Sequence, residues 1–310
     1  MTLAAISFTA RGTRGAWGGP QGRMLDATRA HFHHGPIDLV IGLDGGLAAR
    51  RAAFAAAWER FDGLLEELVA ELPSLRSPAE RAGGVRGPVA RRMVAACRPH
   101  LPAFITPMAA VAGAVADEIL AEIARVPGLA RAYVNNGGDI ALALAPGERL
   151  RVGTLADVER ASRHGHGFAL DGEFAVSASD PVRGVATSGW RGRSLSLGIA
   201  DSVTVLAADA ASADAAATMV ANAVNVEHPA IERAPAASVA DDTDLGSRLV
   251  TRRVGALDAA SVEAALAKGA AAARALVARG VIWGAVLSLA GRHRVEGGLA
   301  ALPETMAWGA

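Results

Sequence analysis

Cysteine is nearly absent from this chain of 310 residues. Its one thiol, Cys97, excludes an intrachain disulfide and a cysteine-based zinc site, and removes any need for an oxidising compartment. Net charge is absent too: 31 Lys plus Arg stand against 31 Asp plus Glu, and charged residues make up only 20% of the chain. No broad positive surface is left to grip a phosphate backbone or an anionic membrane, so neither nucleic acid nor a membrane is expected as a partner. Aromatics are scarce at 4%, which leaves the core to Ala, Val and Leu and lets backbones approach closely. Long apolar runs are missing as well. The most apolar stretch, Val281 to Ala290, is half the ~20 residues of a membrane-spanning helix. Met1 to Ala10 is broken by Ser7 and Thr9 and followed by Arg11 and Arg14, so a secretory signal is not expected and a cytoplasmic location is.

What is present reads as alternating blocks. Ile37 to Leu43 has strand character and ends in Asp44-Gly45-Gly46; Leu47 to Leu72 carries apolar residues at helical spacing up to Pro73. A short helix is expected to end near Cys97, and Pro99, Pro102 and Pro107 then mark a boundary between an N-terminal lobe (1–106) and a second lobe (107–310) of one domain. Val111, Val115, Ile119 and Ile123 form one helical stripe. From Ala132 to Leu206 the pattern is β: Tyr133-Val134, Ile140 to Leu144, Phe168 to Val176, Arg183 to Thr187, Ser194 to Ile199 and Ser202 to Leu206. Helices follow over Ser212 to Val226 and Asp258 to Arg279, then a buried strand over Val281 to Leu289, with a mobile loop expected at Ala234 to Ser247. The sum is an α+β layered fold, antiparallel β-sheet flanked by helices, rather than a doubly wound Rossmann sheet.

Three local patterns could carry chemistry, and each also has a plain structural reading. Asn135-Asn136-Gly137-Gly138-Asp139 is a hairpin turn, or a place where glycine N–H groups meet an anion. Thr187-Ser188-Gly189-Trp190, among Arg183, Arg191 and Arg193, is a solvated loop or a phosphate contact; it is not a nucleophile elbow. Asp214 and Thr218, four residues apart, share one side of a helical turn. They are first-turn residues suited to the helix dipole, or two oxygen ligands for a hard cation such as Mg²⁺. The groups His31, His33, His34 and His164, His166 lack metal spacing and read as polar loop residues, and Gly83 to Gly87 lacks the P-loop Lys and reads as a turn.

Taken in order, Ala109 to Asp117, Val134 to Ile140, Ala186 to Gly189, and Ser202 to Val205 with Ala213 to Thr218 resemble the superfamily of FAD:protein FMN transferases, the ApbE-like proteins. Ser194 to Asp201 resembles an uncharacterised cytoplasmic branch of it. The resemblance implies an ApbE-like fold that binds FAD with Mg²⁺. Asp214 and Thr218 would be catalytic and metal-binding, with a backbone carbonyl near Ala110 as a further ligand. Asn136, Gly137, Gly138, Asp139, Thr187, Ser188 and Gly189 would contact the cofactor. The transferases move FMN from FAD to a Thr or Ser of an acceptor protein and release AMP. A homodimer is implied too, and the Ala-rich helix Asp258 to Arg279 is a candidate interface, with Ala265 the position that would probe it.

Two departures qualify the likeness. Ala112 stands where transferases carry Lys, and Gly192 to Gly198 replaces a His-bearing segment. Three functions therefore remain open: an enzyme that transfers FMN or cleaves the FAD pyrophosphate, a non-catalytic nucleotide- or metabolite-binding member, with sulfur amino-acid metabolism a looser association, and an oligomeric scaffold.

Overall fold

A computed structural model describes residues 8–9, 18–154, 172–192 and 194–301. His164, His166, Arg193, the first residues of the strand expected at Phe168 and most of the segment weighed as a leader lie outside these. The chain forms two compact units, each assembled from non-contiguous stretches: 1–150, 177–185 and 209–212 in unit 1, and 151–176, 186–208 and 213–310 in unit 2.

Unit 1 is built on an antiparallel sheet of consecutive strands: β1 (Gln21–Met24), β2 (Arg29–His34), β3 (Ile37–Gly45), β4 (Leu129–Asn136) and β5 (Asp139–Leu144). In β3 the apolar residues Ile37, Leu39, Ile41 and Leu43 alternate inward and are at most 5% exposed, as a strand with one covered face requires. The first residues of β8 (Gly184–Ser188) pair antiparallel with β5, Val185 opposite Ile140. Arg29 to His34 is thus a strand, not a polar loop. Its alternation is hard to read because only Ala30, Phe32 and His34 turn inward, and one of these is a histidine.

The helical run expected over Leu47 to Leu72 is three helices: α1 (Leu47–Phe61), α2 (Leu64–Ala70) and α3 (Leu72–Leu75). The chain leaves the helical basin at Asp62, whose ψ is 112°. Pro73 sits in the first turn of α3, where its missing N–H costs nothing. The scarce aromatics gather here: Phe32 packs edge-on against Trp58 with ring centres 5.1 Å apart, and Phe61 and Phe8 join them. α4 (Pro88–Cys97) and α5 (Val111–Ala124) complete the unit. Of the stripe read in α5, Val115, Ile119 and Ile123 are fully covered, and Val111 at its first turn is half-buried.

In unit 2, β9 (Ser202–Ala207) pairs antiparallel with β12 (Gly284–Leu289), and β12 with β13 (Arg292–Gly297). Two further strand pairs are β6 (Arg149–Thr154) with β7 (Gly172–Ser177) and β10 (Ile231–Pro235) with β11 (Leu249–Val254). β9 and β12 are buried along their whole lengths. Their Val203, Val205, Ala285 and Leu287 share a core with Val220 of α6 (Ala210–Ala223), Val224 just after it, and Leu266 and Leu276 of α7 (Ala259–Ala278). The expected mobile loop at 234–247 includes the end of β10 and a short 3-10 turn, and Ala236 and Ala237 donate to the Arg248 and Gly246 carbonyls.

Ser194 to Ile199 is not a strand. Its backbone is satisfied elsewhere: the Leu197 N–H donates to the Asn222 side-chain oxygen (2.9 Å), the Asn225 amide donates to the Leu197 carbonyl (3.0 Å), and the Ile199 N–H donates to the Val224 carbonyl. Asn222 in the last turn of α6 and Asn225 just beyond it take up these groups, and Thr251 of β11 donates from its N–H to the Ser196 carbonyl and from its hydroxyl to the Gly198 carbonyl. Among the described residues no helix is long and apolar enough to cross a membrane.

Candidate functional site

The glycine hairpin is a two-residue turn between β4 and β5. Asn136 pairs with Asp139, Gly137 and Gly138 take φ of 67° and 117°, and the Gly138 N–H donates to the Asn135 side chain at 2.8 Å. Positive φ at both central positions is what the turn demands and what glycine supplies without strain. The glycines are exposed. Asn136 is 7% exposed and committed to backbone: its amide donates to the Ala112 carbonyl (3.1 Å) and its oxygen accepts from the Asp38 N–H (3.4 Å). It ties β3, β4 and the start of α5 together. Ala110, fully buried, ends the short 3-10 turn before α5.

α6 starts in unit 1 with Ala210 to Ser212 and continues into unit 2. Its first amides are all taken. Asp209 accepts from the Ser212 N–H at 2.7 Å, as a residue at the mouth of a helix does. Asp117 of α5 places one carboxylate oxygen on the Ala210 N–H (3.0 Å) and the other on the Ala211 N–H (2.9 Å). Burial pushes the Asp117 carboxyl up to about 6, while the two amide bonds pull the other way. Sequence reasoning missed this residue. The available signal was a carboxylate inside Ala114-Val115-Ala116-Asp117, with no polar stripe for it to join.

Within unit 2, Asp214 and Thr218 lie one turn apart on α6. Ala213, Ala215, Ala216 and Ala217 around them are at most 1% exposed, whereas Asp214 and Thr218 are half-buried. The pair is thus among the partly exposed residues of the helix, with Ser212, Met219, Asn222 and Ala223. Thr187 and Ser188 end β8 and are half-buried. The Thr187 hydroxyl lies 2.9 Å from that of Thr204 on β9. Gly189 is set by close approach rather than by a ligand: a Cβ there would stand 2.4 Å from the Asp201 carbonyl oxygen.

Among the described residues no group of three or more His, Cys, Asp or Glu side chains is arranged to hold a metal. A cation at Asp214 and Thr218 would rest on one carboxylate and one hydroxyl, its other ligands being carbonyl, water or phosphate oxygens. Such an all-oxygen, singly charged set fits Mg²⁺ and not zinc. The Gly83 to Gly87 turn is closed to anions by the protein itself, since Glu71 accepts from the Arg86 and Gly87 N–H groups at 2.7 Å each. His31 and His33, on one face of β2, both lie against Asp38, at 3.1 and 3.4 Å. Ala265, on the buried face of the candidate interface helix, belongs to the core of unit 2.

A family model described as AbpE bacteria matches residues 21–295. A "UPF0280 protein" of Methanosphaerula palustris is 36% identical over 187 residues, covering 59% of this chain and 69% of that protein. Another, from Methanothermobacter thermautotrophicus, is 38% identical over 142 residues, 45% of this chain and 50% of the relative, so the match spans half of that relative's length. Among solved structures, the apo form of the Pseudomonas stutzeri flavinyl transferase ApbE aligns over 84% of this chain and 90% of its own, at 13% identity and a TM-score of 0.35. A likeness that slight carries no argument.

Proposed function

The chain belongs to the family described as AbpE bacteria, and from that premise we propose that it binds a flavin dinucleotide, FAD, together with Mg²⁺. Asp214 and Thr218 are the metal-holding pair, and Thr187, Ser188 and Gly189 form a wall of the nucleotide site. One observation carries the reading: the carboxylate and hydroxyl at the spacing the resemblance assigns belong to two half-buried residues, while Ala213, Ala215, Ala216 and Ala217 beside them are buried. Bound Mg²⁺ supplies positive charge against the diphosphate oxygens. Asp214 contributes the anionic ligand and Thr218 a neutral one. The Thr187 hydroxyl, 2.9 Å from that of Thr204, would donate to a phosphate oxygen. In a transfer step the acceptor hydroxyl oxygen, or in hydrolysis a water oxygen, would bond to the FMN phosphorus as the phosphorus–oxygen bond to the AMP leaving group breaks, and an Asp214 oxygen would take the proton released by the attacking group. The assignments in unit 1 are proposed independently: the Ala110 carbonyl as a metal ligand, and Asn136, Gly137, Gly138 and Asp139 as nucleotide contacts.

A second reading, binding without turnover, is favoured by Ala112 in place of the transferases' Lys and by the missing His segment. Incubating the purified protein with FAD and Mg²⁺ and following AMP release separates the two. AMP that appears with Mg²⁺ and disappears in Asp214→Ala supports catalysis. FAD binding without AMP supports the second reading, and no FAD binding at all overturns both.

A further inference from the structure

One carboxylate in unit 2 collects donors from two segments beside the Thr187-Ser188-Gly189 turn, and neither the resemblance nor the reading above gives it a role. Asp201 stands just before β9. One of its oxygens accepts from the Trp190 indole N–H (3.1 Å) and from Arg191 Nε (2.8 Å); the other accepts from the Ala290 backbone N–H (2.7 Å). Its own N–H donates to the Ser288 carbonyl, and Trp190 N–H donates to the neighbouring Ala200 carbonyl. The Gly189 backbone is pressed against its carbonyl, as noted above. The Arg191 guanidinium lies over the Trp190 ring, 4.6 Å from its centre.

The third donor sits in a costly conformation. Ala290 has φ of 49°, the one non-glycine residue with positive φ among those described, in the two-residue turn between β12 and β13. A residue with a Cβ is disfavoured there by roughly 1–2 kcal/mol. A charge-assisted bond from its N–H to Asp201 offsets that cost. The arrangement therefore binds the residues directly following the Thr-Ser-Gly turn to a strand start and a strained hairpin through a single side chain whose exposure is 18%.

We propose that Asp201 is a positioning residue for the nucleotide site: by holding Trp190 and Arg191 it fixes the stacked indole–guanidinium pair at the rim of the Thr187–Gly189 wall, where Arg191 faces the ligand's phosphate and Trp190 supports it. This rests on the nucleotide-binding reading. Arg191 acts as the contact and Asp201 acts through it.

The test uses the full chain, with FAD plus Mg²⁺ as the probe, and the variants Asp201→Asn, Arg191→Gln, their combination, and Trp190→Phe. Hydrogen exchange of the Trp190 indole N–H, assigned by its loss in Trp190→Phe, reports the hold without any ligand; calorimetry reports FAD affinity. Asp201→Asn should speed that exchange and weaken FAD binding about tenfold, and adding Arg191→Gln should weaken it no further. Unchanged indole exchange in Asp201→Asn overturns the proposal. Faster exchange with unchanged affinity also overturns it, because a purely structural role would behave that way. Additive losses in the combined variant contradict action through Arg191. Wild-type protein that binds no FAD overturns the nucleotide reading and this inference with it, and is recognised without any variant. Should Asp201→Asn fail to fold, Asp201→Glu replaces it: faster indole exchange with about tenfold weaker FAD binding supports the proposal, and either readout unchanged overturns it.

Discussion

Replacing Asp117 by Asn should change how stability depends on pH. The carboxyl is 9% exposed and its environment raises it from an ordinary 3.8 to about 6, burial first, with the nearby Asp209 charge adding to the rise and Arg92 opposing it. A group raised in the folded state favours folding when protonated. Its contribution is complete below the unfolded value near 4 and is lost as pH rises through about 6. The gap corresponds to ~3 kcal/mol, and deep burial leaves little solvent screening to reduce it. Asn cannot titrate, and its single side-chain oxygen can serve only one of the Ala210 and Ala211 amides well, which costs about 1–3 kcal/mol at every pH. Urea unfolding of both proteins at half-unit steps between pH 4 and 7.5 measures the two effects separately. The wild-type advantage over Asp117→Asn should shrink by ~3 kcal/mol as pH rises across that window. A difference that stays flat, or that grows with pH, would refute the reasoning. Growth would mean that the two amides and the positive end of α6 outweigh burial.

Other outcomes follow from the same geometry. Asn136→Ala leaves the Ala112 carbonyl and the Asp38 N–H without their partner and should cost about 1–3 kcal/mol of stability, read as a lower denaturant midpoint; an unchanged midpoint would show that water replaces the side chain freely. Ala265→Glu places a carboxylate in the unit 2 core and should abolish cooperative unfolding or lower stability by more than ~3 kcal/mol. A stably folded variant with altered mass in light scattering would contradict the burial.

Legibility in the sequence followed the range of the interactions concerned. β3, α5, α6 and α7 were readable because their apolar residues repeat every two residues or every three to four, and β12 because it is one short apolar run buried throughout; each signal, such as the stripe Val115, Ile119 and Ile123 in α5 or the Gly280 that follows α7, is local. β13 escaped because its exposed half, Arg292-His293-Arg294, has no inward apolar residue. Ser194 to Ile199 misled in the opposite sense, since its alternation matches a strand while its hydrogen bonds go to Asn222 and Asn225. Of the candidate site, the Asp214 and Thr218 spacing was visible because it spans one turn. Asp117 and Asp201 were not: they act on backbone groups 93 and 89 residues away, and no local pattern records such a pairing.

The central claim is that Asp214 and Thr218 seat a cation for a flavin dinucleotide. Titration calorimetry of FAD into the wild type and Asp214→Asn, each with Mg²⁺ and with EDTA, tests it most directly. The account predicts wild-type binding that needs Mg²⁺ and a loss of at least about tenfold in Asp214→Asn. FAD binding of equal strength in all four titrations, or none in the wild type, would contradict it.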